Sequence, residues 1–62
     1  MTLKENLQDY ILVLEKARLN YHLRTQQNAN NLSMYEFWMG MYTSVDATIR
    51  DLEEVIRNSE DL

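Results

Sequence analysis

Leu32-Ser33-Met34-Tyr35-Glu36-Phe37 divides the 62-residue chain in two. A serine followed three residues later by glutamate is the pattern of a capping box. Ser33 is placed to accept from the Glu36 N–H, and Glu36 to accept from the Ser33 N–H. Leu32 and Phe37 stand where a hydrophobic staple clamps the chain as it enters a helix. The residues just before, Gln26-Gln27-Asn28-Ala29-Asn30-Asn31, are polar and turn-prone. The reading is a second helix over about 33–58, a linker over about 26–32 and an earlier helix before it.

That earlier helix has its own start signal, Thr2 as N-cap with Glu5 three residues on, and is expected over about 2–25. Leu3, Leu7, Tyr10, Leu14, Ala17 and Tyr21 then step by four and three, the spacing of a packed helix face, and Ile11 widens it. The second helix repeats the pattern through Met34, Trp38, Met41, Val45, Thr48, Leu52 and Val55, flanked by Phe37, Tyr42, Ile49 and Ile56. Asp46–Arg50 and Glu53–Arg57 are i,i+4 pairs, worth roughly 0.3–0.5 kcal/mol each. Residues 59–62 are expected to fray. A short linker makes the two helices antiparallel neighbours, so the fold class is all-α, a two-helix hairpin forming one domain.

Gly40, the only glycine, is the misfit. Inside a helix it costs about 1 kcal/mol relative to alanine. Thr43-Ser44-Val45-Asp46 after it offers another helix start, but the apolar repeat crosses the gap unbroken. A continuous or slightly kinked helix is the expectation.

One hairpin leaves apolar surface over. Leu12, Leu19 and Leu23 lie nearly opposite the Leu7/Leu14/Tyr21 stripe at about 100° per residue. The chain has no cysteine and one histidine, which removes disulfides and thiolate metal sites as reinforcement for so small a core. Self-association remains. Leu12, Leu19 and Leu23 are the expected self-association residues, and a homodimer closing a four-helix bundle is the simplest solution. A monomer with a partner groove is the second choice.

The chemistry-bearing residues are few. His22 has Arg18 and Gln26 at i−4 and i+4, neither of which orients a general base, so it reads as a solvated histidine near a helix C-terminus. There is no nucleophile elbow and no Gly-rich phosphate loop. Asp9, Glu15, Asp46, Asp51 and Glu53 lack the Glu-x-x-His company of a di-metal bundle site. No catalytic residue, metal or cofactor is expected, and the chain reads as non-enzymatic.

Charge is uneven. The linker end gathers Lys16, Arg18, His22 and Arg24 beside Tyr21, Tyr35, Phe37, Trp38 and Tyr42. The open end gathers Glu5, Asp9, Glu53, Glu54, Glu60 and Asp61. Arginine with aromatics is the usual makeup of a binding hot spot, and methionines add an adaptable apolar surface. Arg18, His22, Arg24, Tyr35 and Met39 are therefore the expected partner-binding residues, with Arg24 placed to stack on Trp38 or Tyr35.

Trp38-Met39-Gly40 is similar to the Trp-x-Gly signature of small secreted helical hairpins. In that family the triplet sits in the inter-helix turn, whereas here it follows a helix start, so no membership is assigned. The general shape is similar to the plasmid copy-number hairpin that dimerises into a four-helix bundle, an analogy of architecture alone.

The net charge of −4 disfavours non-specific duplex binding. The longest apolar run, Ile11 to Leu14, is far too short for a bilayer, and no signal peptide is recognisable. The expectation is a cytoplasmic adaptor or inhibitor, of the compact kind common in phage and mobile elements, that binds a larger protein through helix faces. The alternatives are a nucleic-acid module using the linker end, or a structural subunit of a helical assembly.

Overall fold

A computed structural model of the chain describes residues 2–59. Within them lie two helices, α1 (Leu3–Gln27) and α2 (Leu32–Ser59), packed side by side in opposite directions. The particle is a slab of 48 × 17 × 10 Å. The all-α hairpin is as expected from the sequence.

The start of α1 is the expected one. Thr2 Oγ1 accepts from the Glu5 N–H at 3.1 Å, and the Thr2 N–H donates to Glu5 Oε1 at 3.3 Å. Its end lies two residues beyond the expected one. Gln26 and Gln27 are good helix formers, and only at Asn28 does the backbone leave the helix. Asn28 closes the last turn by donating from its backbone N–H and its side-chain Nδ2 to the Arg24 carbonyl, at 3.1 and 2.7 Å.

The expected cap of α2 needs correction. Leu32 is already the first helical residue and Ser33 the second. The cap is Asn31, whose Oδ1 accepts from the Met34 N–H at 3.2 Å and whose carbonyl accepts from the Tyr35 N–H at 2.8 Å. Asparagine caps as well as serine, and capping two residues earlier adds half a turn of helix. The capping-box role given to Ser33 and Glu36 is thereby lost, since the residue three after the true cap is Met34. Leu32 is 71% exposed and Phe37 55%, so the expected staple does not seal the entry. The linker shrinks from 26–32 to 28–31.

α2 passes through Gly40 as one helix. Thr43, the first residue of the alternative helix start, bonds backwards instead: its Oγ1 donates to the Met39 carbonyl at 2.9 Å, as Thr48 Oγ1 does to the Ser44 carbonyl at 3.0 Å. Ser59 ends α2, correcting its place in the tail; the remainder of that tail, residues 60–62, lies outside the described residues.

The core is aliphatic and small. Ile11, Ile49 and Ile56 are buried, Ile49 completely, with Leu7, Leu14, Val45 and Leu52 packed around them. The less exposed residues trace one seam per helix. In α1 it runs Leu7, Ile11, Leu14, Arg18, Tyr21, Thr25; in α2 it runs Tyr35, Trp38, Tyr42, Val45, Ile49, Leu52, Ile56. Both step by three and four, the spacing of antiparallel helices in ridge-and-groove contact. The Thr25 hydroxyl, buried in that seam, donates to the Tyr21 carbonyl at 2.8 Å.

The stripes expected from the sequence are therefore rotated from the true seam, by roughly 40° on α1 and 60° on α2 at about 100° per residue. Leu3 and Tyr10, expected inside, are exposed, while Ile49 and Ile56, expected as flanks, are the centre. Each helix is apolar in two directions, and the pattern averages them.

Candidate functional site

The seam splits the remaining surface into two faces. Helical geometry places Gln8, Leu12, Glu15, Leu19 and His22 of α1 on one side, with Met39, Tyr42, Asp46, Glu53 and Arg57 of α2. It places Tyr10, Val13, Ala17 and Arg24 of α1 on the other, with Met34, Phe37, Met41 and Val55 of α2. The first face is grooved and mixed in polarity; the second is flat and mainly apolar.

Two depressions run along the grooved face. One, of about 460 Å³ near the open end, is lined by Gln8, Ile11, Leu12, Glu53, Ile56 and Arg57. The other, of about 250 Å³ near the linker, is lined by Glu15, Arg18, Leu19, His22 and Tyr42. Between them sits an ion cluster. Asp46 accepts from Arg18 across the seam at 2.7 Å and pairs with Arg50 one turn on at 3.1 Å. The hydrogen bond from Arg18 to Asp46 raises the guanidinium pKa above its ordinary value, with the carboxylate's charge adding to it. Arg18 occupies a seam position, so the pair sets the register of the helices while its charge is spent within the hairpin. Glu53 and Arg57 instead line the groove, and the second expected i,i+4 pair is not among the ion pairs of the described residues.

The expected partner-binding residues do not form one patch. Arg18 is engaged with Asp46, and exposed His22 lies beside Tyr42 on the grooved face, ring centroids 5.7 Å apart. Met39, 38% exposed, falls on that same side. Arg24 turns to the opposite face and lies over the Trp38 ring, 5.4 Å from its centroid, the stack expected from the sequence. Trp38 also packs against Tyr21 at 5.8 Å and meets Phe37 edge-on at 5.0 Å. Tyr35, expected off the packed stripe, lies on the seam and is half-buried. The rotation of the stripe explains its change of place.

Leu12, Leu19 and Leu23, expected to self-associate, are 56, 60 and 47% exposed. They lie along the outer side of α1, and Leu12 and Leu19 form walls of the two depressions. In the sequence pattern the apolar side chains of the flat face are hidden, because Met34, Met41 and Val55 fall on the expected core stripe. Fixing the seam on Ile11, Ile49 and Ile56 would have found both that face and the Arg18–Asp46 pair.

Among the described residues, no three His, Cys, Asp or Glu side chains converge as a metal site, and no helix is long and apolar enough to cross a membrane. No protein family, curated protein or solved structure matches the chain.

Proposed function

We propose that the chain is a small, non-enzymatic protein-binding regulator, an adaptor or inhibitor that works through its helix faces as a dimer in the cytoplasm. The observation that carries this reading is the imbalance between core and surface. Among the described residues three apolar side chains are buried, while twelve large ones are at least 37% exposed. Single exposed leucines are ordinary, but aligned ones on two faces make surfaces that other helices fit.

The grooved face is the one we assign to a larger protein partner. Leu12 and Leu19 give it apolar anchors, Glu53 and Arg57 a charged wall, and His22 with Tyr42 a polar end. An amphipathic helix laid along the seam would find apolar floor and charged rim together. The nucleic-acid alternative loses ground, because Arg18, one of its four positive groups, is already paired with Asp46.

The test is capture of partners from the native cell by the tagged chain and by Leu12→Glu/Leu19→Glu, with helical content checked by circular dichroism. The reading predicts a specific protein retained by the parent and lost by a folded variant. Identical capture by both, or salt-sensitive oligonucleotide binding abolished by Arg24→Glu, would overturn it.

A further inference from the structure

The flat face is built by both helices in the same rhythm. Tyr10, Val13 and Ala17 in α1 step by three and four, as do Met34, Phe37 and Met41 in α2. Tyr10, Val13, Phe37 and Val55 are at least half exposed, and both methionines are more than a third exposed. We propose that a second copy of this chain covers this face, its linker at the opposite end, so that two hairpins close an antiparallel four-helix bundle. The inference deepens the self-association part of the proposed function. It moves the contact from Leu12, Leu19 and Leu23, which lie on one helix, to a surface that both helices share.

Three observations choose a second copy as the occupant. The first is the direction of the apolar stripes. In a lone hairpin each helix should be most apolar toward its one neighbour. Here Tyr10, Val13 and Ala17 of α1 and Met34, Phe37, Met41 and Val55 of α2 carry apolar surface away from the seam and toward the same face. A helix with two neighbours at right angles, as in a four-helix bundle, needs apolar surface in both directions.

The second is area. The chain exposes 4899 Å² for a mass of 7.4 kDa. A compact monomer of that mass exposes about 4,200 Å². An elongated hairpin of 48 × 17 × 10 Å exposes about 700 Å² more than that, so the roughly 800 Å² that each partner buries in a standard stable interface is available without opening the seam.

The third is charge, which also sets the orientation. Among the described residues, 16–46 carry three Lys/Arg against two carboxylates, while 2–15 and 47–59 carry three against six. Hairpins aligned with linkers together would set two strongly acidic ends side by side. Opposed linkers place each acidic end against the partner's slightly basic one, and a two-fold axis across the helices achieves this with identical patches.

Sedimentation equilibrium of the full chain tests the proposal, together with spin labels on Ala29→Cys, the chain having no other cysteine. The expected mass is twice 7.4 kDa. Phe37→Glu/Met41→Glu should weaken dimerisation at least about tenfold with helical content retained. Val13→Glu, at a position 62% exposed and so tolerated by the hairpin itself, should do the same should the double variant unfold. Leu12→Glu/Leu19→Glu should stay dimeric. The label separation should approach the 48 Å length of the hairpin. A monomeric parent, a dimer broken only by Leu12→Glu/Leu19→Glu, or labels well under half that length apart would overturn the proposal. A monomer that still loses a captured partner on Leu12→Glu/Leu19→Glu would leave the protein-binding reading standing.

Discussion

The two ends of the hairpin are held together by different physics. Toward the open end, Ile11, Ile49 and Ile56 interdigitate with leucines and valine, and Ile49 is wholly removed from water. Toward the linker the seam is aromatic: Tyr21, Trp38 and Tyr42 lie in it half-exposed, joined by ring contacts and by Arg24 over the indole. Aliphatic side chains close on each other and exclude water fully at Ile49, so the seam of that end supplies most of the stability. Aromatic rings keep edges and faces available at modest cost in burial, so the seam at the linker end stays partly open to solvent.

The aliphatic half depends most on Ile49, its one fully buried side chain among the described residues. Ile49→Ala should cost about 2–5 kcal/mol, since the side chain is fully buried at the centre of the core and its removal leaves a cavity there. Denaturant melting checks it; a loss below about 1 kcal/mol would put the core elsewhere. Asn31→Ala should cost about 1 kcal/mol by unsatisfying the Met34 N–H, whereas Ser33→Ala, inside the first turn, should stay within about 0.5 kcal/mol. Reversed values would restore Ser33 as the cap.

Gly40 lies in the aromatic half of α2. Nothing lies within 4 Å of where a Cβ would stand, so Gly40→Ala should stabilise α2 by about 1 kcal/mol. The gain should show most strongly as slower amide exchange between residues 35 and 45, in the aromatic half. Arg24→Ala is the smallest expected change, about 0.5–1 kcal/mol from the exposed cation–π contact, read out by Trp38 fluorescence.

The all-α hairpin was legible because spacing, caps and missing proline agree, and the Thr2–Glu5 box formed as written. The start of α2 was not, because Asn31 and Ser33 are comparable caps and only the packed helix decides between them. The seam was misread because Met34, Met41 and Val55 are as apolar as Ile49 and Ile56, and periodicity cannot say which neighbour a face is meant for. Tyr35 was misplaced by that same rotation. The Arg24–Trp38 stack was legible across a short linker; the Arg18–Asp46 pair, 28 residues apart, required the register of the seam.

If one hairpin is half of a particle, folding and association are linked, and the thermal midpoint of the unmodified chain must depend on its concentration. Melting curves followed by circular dichroism over a hundredfold dilution test this most directly. The midpoint of a dimer falls steadily on dilution; a midpoint independent of concentration across that range, with monomeric mass throughout, would contradict dimerisation.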